Sequence, residues 1–510
     1  MAPQTAAVWP YDTYHDLRWL YVYHDSWPAF FAWLLVMVVA RAVFHTGLGV
    51  LAWPKHMRRP TVWWLLRRSL GLAVLVALLV APWALISVAA SVVALSWVLL
   101  ASLLPMVLLA PFLQRAAVIG PWWRGLPSAP LVGWSLLNFV VLTVAGALSW
   151  AVPGWWTVLV AAVAGILNGL LWNRSVHSAL LAPTTRWPRV PAAPIAAVLA
   201  LAVPVVGSVV NAKTGEGLGI DVVMLDEPMP AGSDHAVIVL AGYGSSYGGE
   251  RPPDDRVEVF SYRGLAPDGQ PLPYDREDTR ISVADSVRLL SRQVDRLHRR
   301  TDRKVALIGE SEGAMVARTY LQQSAHPAVD TLAMFSPLIN AGRAYYPPPN
   351  EKQGFGVATG WQLRQAFRLM NMIGVSNGDA DQPFFRSLID NAPFYRNQLL
   401  CPVPGVRTVA FLPTTTAAEA PPGEYSDIPV IQMLGVHGTL LDRAQLQDRL
   451  IALLSDDPLP ATERRGEYAL LSWLGSAWQT PPLAIAANPA WAGFRQPDPA
   501  FTGKACLPAR

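Results

Sequence analysis

Three stretches of the chain, Gly244–Gly248, Gly309–Gly313 and Gly374–Gly378, read G-x-S-x-G. That pattern suits a nucleophile elbow, in which a sharp turn lifts the serine Oγ above a sheet and the following helix N-terminus favours the negative charge of acyl transfer. The chemistry needs a strand running into the first glycine and a helix starting just after the serine. Only Gly309-Glu310-Ser311-Glu312-Gly313 has both, because it follows Lys304-Val305-Ala306-Leu307-Ile308 and precedes Ala314-Met315-Val316-Ala317-Arg318-Thr319-Tyr320-Leu321. Ser246 is followed by Gly249 and Pro252-Pro253, and Ser376 follows a predicted helix. Ser311 is therefore the candidate nucleophile, the alternative being a serine in an ordinary tight turn.

The elements that would carry such an elbow begin at Gly217, where short strand patterns start to alternate with amphipathic helices, as in a mostly parallel α/β sheet. Strands are expected at Ile220–Leu225, Ala236–Ala241, Val257–Tyr262, Lys304–Ile308, Thr331–Phe335, Val406–Leu412 and Pro429–Leu434. Val283, Val287, Leu290, Val294 and Leu297 recur at helical spacing behind a capping box of Ser282 and Asp285. An insertion of about 339–400, opened by Tyr346-Pro347-Pro348-Pro349, exceeds ordinary loop length and reads as a lid or small subdomain. Its stripe of Leu363, Ala366, Phe367, Met370 and Ile373 is either core or, on a lid, a surface for an apolar acyl chain.

The first part of the chain has a different composition. Residues 1–211 hold twelve Lys or Arg and only Asp12, Asp16 and Asp25 as acids, so the overall +4 divides into +9 there and −5 in 212–510. No charged side chain occurs in 69–114, 125–173 or 190–212, runs of 46, 49 and 23 residues. Since about 20 residues cross the hydrocarbon core, these runs hold two, two and one spans, and 28–48 makes a sixth. The basic excess lies between apolar runs, which argues against nucleic-acid binding. The loops at 55–68, 115–124 and 174–189 carry the cations and should share the cytoplasmic side. The expected layout is an exported tail 1–27, a six-span all-α membrane bundle 28–211, an extracytoplasmic α/β domain 212–456 and an extension 457–510. Cys401 and Cys506 both fall in the exported half, where they are either a disulfide or two unrelated thiols.

From Gly217 to Leu454 the order of motifs resembles the α/β-hydrolase superfamily, particularly its lipase and esterase branches. A strand leads into Leu240-Ala241-Gly242-Tyr243-Gly244, similar to that family's oxyanion loop, followed by Tyr262-Arg263-Gly264, the elbow and a late histidine. Ala241-Gly242 stands where the family carries His-Gly. The resemblance implies a Ser-His-acid triad, with the backbone N–H groups of Tyr243 and Glu312 as oxyanion hole.

Nine histidines compete for the base, of which five (His15, His24, His45, His56, His177) belong to the membrane part. His235 and His298 lie near strand starts, the edge opposite an active site, and His326 follows the far end of the nucleophile helix. His437, two residues past the last strand, remains, and it stands where the family carries its triad histidine; a surface-loop histidine is the alternative. The family's acid follows the penultimate strand, which points to Glu419, with Glu424 and Asp427 as competitors and Asp379 and Asp381 in the insertion as outsiders.

The expected function is hydrolysis of a carboxylic ester, lipid or other, at the outer face of a cytoplasmic membrane through an acyl-enzyme, without cofactor or metal. An acyltransferase of envelope lipids would use the same serine. A non-catalytic transporter or scaffold with a hydrolase-like binding domain is the reading from a different class. The spans carry almost no ionisable residues besides Arg41 and His45, which favours an anchor.

Overall fold

A computed structural model describes residues 8–181, 189–200, 229, 233–323, 326–374, 377–420, 426–441, 443–455, 458–493 and 506. The charge-free runs form helices because lipid leaves a backbone no partner outside its own segment. Five helices are long and apolar enough to cross a membrane: α2 (Trp27–Ala52), α3 (Val62–Val93), α4 (Ser96–Ala116), α5 (Ala129–Ala151) and α6 (Trp156–Leu181). The two long runs each divide into two helices, as their lengths require. Of the sixth expected span, residues 192–200 are helical and 201–211 lie outside the described residues.

A further helix, α1 (Tyr11–Tyr23), packs on α2 and α3, with Asp12, His15 and Arg18 buried. The segment expected to be an exported tail is thus part of the bundle. Hydropathy does not reveal it, because its acids are met by partners on α2 and Arg18 by the Trp478 carbonyl. The Arg41 guanidinium clasps Asp16 through Nε (2.6 Å) and Nη2 (2.8 Å), and Nε2 of His45 stands 2.7 Å from Asp12. The bundle therefore holds a buried ionic network that the spans alone do not disclose.

The second half is a six-stranded, all-parallel sheet in the order β2-β1-β3-β4-β5-β6. Its strands are β1 (His235–Leu240), β2 (Val257–Val259), β3 (Lys304–Glu310), β4 (Val329–Phe335), β5 (Arg407–Pro413) and β6 (Val430–Met433). Six of the seven expected strands are present, and Ile220–Leu225 lies outside the described residues. Alternate residues of the same strands feed two cores, as the period of two demands. Ile238, Leu240, Leu307 and Leu332 pack under α7 (Val283–Thr301) and α8 (Glu312–Gln323), whereas Val239, Ile308, Ala333 and Phe411 pack under α12 (Ala444–Leu454). Leu446, Leu450, Leu453 and Leu454 of α12 are buried there, each contributing roughly 1.5–3 kcal/mol. Ser282 caps α7 by accepting from the Asp285 N–H, as its sequence indicates.

Between β4 and β5 the insertion folds into α9 (Val357–Met372), α10 (Pro383–Asp390) and α11 (Ala392–Asn397). It rests on the bundle: the Gly354 and Gly356 N–H groups donate to Asp25 and His24, and Trp361 meets Trp27 edge to face. The sheet domain sits on the ends of α3 and α5 remote from the basic loops. Trp478, beyond α13 (Gly466–Gly475), donates to Thr143 of α5, and the loop after β4 donates from Gly342 and Arg343 to the Val92 and Ser91 carbonyls of α3. A disulfide joins Cys401 to Cys506.

Candidate active site

β3 ends at Glu310 and α8 starts at Glu312, which leaves Ser311 alone in the turn with φ of +53°. A left-handed backbone costs a non-glycine residue about 1–3 kcal/mol and persists only where its surroundings enforce it. Here the Ser311 N–H donates to the Phe335 carbonyl at 2.9 Å, and both flanking glycines have no room for a side chain. A Cβ on Gly309 would stand 2.6 Å from the Ala314 backbone, and one on Gly313 would stand 2.2 Å from the Leu240 carbonyl oxygen. The G-x-S-x-G spacing thus reflects α8 pressed against the end of β1.

His437, in the loop after β6, places Nε2 2.8 Å from Ser311 Oγ. The two residues lie 126 positions apart and meet because β3 and β6 run parallel and end on one edge of the sheet. Burial pushes the imidazole down to about 4, so at neutral pH the ring is uncharged. Nε2 can accept from the serine hydroxyl in the tautomer whose ring proton is on Nδ1. Among the other histidines, His235 pairs with Asp330 and His298 bonds the Arg303 carbonyl, both near strand starts.

The structure does not bring the expected acid to the base. Glu419 is buried, and its Oε1 accepts from Ser91 of α3 at 3.5 Å while Oε2 stands 3.9 Å from Arg343 Nε. The cause is local: residues Thr414–Ala418 form a 3-10 turn docked on α4 and α13, which carries Glu419 toward the bundle. No Asp or Glu among the described residues forms an ion pair with His437. Glu424 lies outside the described residues. Asp427 stands just before β6, at the edge away from His437, and Asp381 is held by Arg364 through two hydrogen bonds of 2.6 and 2.9 Å. Asp379 accepts from the Asp381 N–H.

Tyr243, in the loop after β1, lines the same cavity as Ser311, and Glu312 follows the serine at the start of α8. A Cβ on Gly242 would lie 3.0 Å from Ser311 Cβ, which shows how closely the loop after β1 approaches the nucleophile. Among the described residues, no backbone carbonyl takes the N–H of Tyr243 or of Glu312. Two contacts brace the loop: the Tyr262 hydroxyl donates to the Ala241 carbonyl at 2.7 Å, and the Gly244 N–H donates to Thr279 Oγ1 at 3.0 Å. Burial holds the Tyr262 phenol well above its usual range, so it stays a donor. The Glu312 carboxyl is fully buried with neither oxygen hydrogen-bonded, and burial raises it far above the usual carboxylate range.

Ser311 and His437 open into an apolar cavity of about 170 Å³, walled by Leu338, Phe384 and Phe385 and by Val93 and Leu95 at the α3–α4 junction. Tyr243 stacks on Phe384 and Phe385 at 5.4 and 5.6 Å and exchanges a hydrogen bond with Gln382. The insertion thus reaches the site through α10, not through the α9 stripe; Leu363 of that stripe packs on the bundle and Ile373 is exposed. Of the other two G-x-S-x-G serines, Ser246 sits in the loop after β1 with no helix behind it, and Ser376 lies outside the described residues. Compared with known proteins, the chain matches no family model, no curated protein and no solved structure.

Proposed function

We propose that the chain is a membrane-bound serine hydrolase of the α/β-hydrolase type that cleaves carboxylic esters at the extracytoplasmic face. The observation that carries this reading is the 2.8 Å contact between Ser311 Oγ, on a left-handed strand-to-helix turn, and Nε2 of His437. Nε2 takes the Oγ proton as Oγ attacks the ester carbonyl, and the developing oxyanion is received by the Tyr243 and Glu312 amides. Collapse expels the alcohol, which takes the proton back from His437. Water, deprotonated in turn by His437, then releases the acid from Ser311. A mechanism of this kind requires no cofactor or metal.

The extracytoplasmic placement is supported by the sheet domain's position at the bundle end opposite the basic loops, and by the Cys401–Cys506 bridge. An acyl-enzyme facing an apolar cavity rather than open water also suits transfer to an alcohol, so acyl transfer to a lipid is the second reading. The purified protein should hydrolyse p-nitrophenyl esters, and Ser311→Ala should reduce kcat by roughly a thousandfold or more. Equal rates for the two would leave a non-catalytic binding domain as the better account.

A further inference from the structure

We propose that the α3–α4 junction of the membrane bundle is the acyl-selecting wall of the catalytic cavity, so that the substrate is an ester whose acyl chain enters from the outer part of the bilayer. This rests on the hydrolase reading and gives the bundle a role beyond anchoring.

Length comes first. Past Arg67 and Arg68 on the basic side, α3 continues from Ser69 to Val93, 25 residues or roughly 37 Å, against a hydrocarbon core about 30 Å thick. Its last turn reaches the sheet domain. The C-terminal carbonyls of Ser91 and Val92 are taken by the N–H groups of Arg343 and Gly342, Ser87 meets Thr480, and Ser91 donates to Glu419. Partners of this kind satisfy helix-end carbonyls that would otherwise be orphaned. α3 then stops at Ala94, which takes φ of +54°, and the Leu95 N–H closes the end on the Ala90 carbonyl. That turn fixes Val93 and Leu95 on either side of Ala94, and both line the cavity that holds Ser311.

The chemistry of the wall selects the ligand. Apart from Ser311, His437, two glycines and Tyr243, whose hydroxyl is engaged by Gln382, the cavity presents Val93, Leu95, Leu338, Phe384 and Phe385 with no charged side chain, which suits a hydrocarbon rather than a sugar or a charged acyl group. Its volume of about 170 Å³ is near that of apolar protein cavities of roughly 150 Å³ that take one benzene. Only the acyl segment next to the ester fits inside, and the rest of a long chain must continue outward along the bundle. The surroundings are apolar on that side too. Trp361, Leu369 and Met372 of α9 and the adjoining Ile373 are exposed, and Trp361 sits against Trp27, where the membrane-crossing α2 begins, so this apolar surface continues that of the spans.

The test is an acyl-length profile of kcat/KM on p-nitrophenyl esters from acetate to palmitate, for the full-length protein in detergent and in phosphatidylcholine vesicles. Each methylene seated against the wall should contribute roughly fourfold. Leu95→Trp, which fills the cavity, should lower the ratio of kcat/KM for octanoate to that for acetate at least tenfold. Val93→Ala, which enlarges it, should move the optimum to a longer chain, and this second variant guards against misfolding of the first. Profiles that keep the wild-type shape in both variants, with Ser311 still reactive toward a fluorophosphonate, would overturn the wall and leave the hydrolase reading intact. A wild-type protein that neither takes the phosphonate nor turns over any ester would remove both.

Discussion

Ser311 Oγ and His437 Nε2 meet at 2.8 Å on a braced elbow, and among the described residues no carboxylate pairs with the histidine. The pairing matters because none of these residues raises the proton affinity of the imidazole, while burial lowers it.

The first prediction concerns pH. With the His437 imidazole pushed down to about 4, the base is already neutral in mildly acid solution. The acid limb of kcat/KM should therefore fall near pH 4, with activity at pH 5.5 close to that at pH 7. Folding releases the proton that an unfolded histidine, with its pKa near 6.5, would hold in this window, so stability should rise with pH between roughly 4 and 6.5. An acid limb near pH 6.5 to 7 would instead indicate a carboxylate at Nδ1 in the working enzyme. A pH–rate profile on a short ester distinguishes the two.

Glu419 provides a second test. Its carboxyl faces Ser91 and Arg343 rather than His437, so Glu419→Gln should change kcat by less than about threefold and leave the acid limb where it is. A triad acid behaves otherwise, because losing its charge costs orders of magnitude in kcat. A thousandfold fall with the fold intact would return Glu419 to the catalytic machinery.

The third prediction tests the buried network of the bundle. Arg41→Ala leaves Asp16 and Asp12 facing α2 without the guanidinium that now holds Asp16 in two hydrogen bonds. Removing one partner of a buried pair costs about 3–5 kcal/mol, so the thermal transition in detergent should drop by many degrees. The double change Arg41→Leu with Asp16→Leu should recover most of that loss. If the single and double variants were equally destabilised, the pair would not be the interaction that holds α1 in the bundle.

Much of the architecture was legible because hydrophobic periodicity is a local signal. The charge-free runs located the spans, and the strand patterns located β1 to β6 to within a few residues. Ser311 was legible too, since a strand, a G-x-S-x-G turn and a helix are contiguous in sequence. His437 emerged by elimination together with its place after the last strand. What was not legible depends on tertiary contacts. α1 carries Asp12, Asp16 and Arg18 and so does not resemble a buried helix until Arg41 and His45 are seen opposite it. Glu419 satisfies the order of the motifs, yet the 3-10 turn before it directs the side chain to the bundle, and no sequence pattern reveals that direction. Likewise, Val93 and Leu95 look like the end of one span and the start of the next. Their place beside Ser311 follows from the end of α3 docking on the loop after β4.

The most direct measurement is covalent labelling of the full-length protein with a fluorophosphonate, followed by mass-spectrometric mapping of the modified residue. The Ser311–His437 mechanism predicts one label, on Ser311, abolished by Ser311→Ala and slowed at least a hundredfold by His437→Ala, with Ser246→Ala and Ser376→Ala labelled at the wild-type rate. Label on Ser246 or Ser376, or a folded protein that takes no label at any serine, would contradict it.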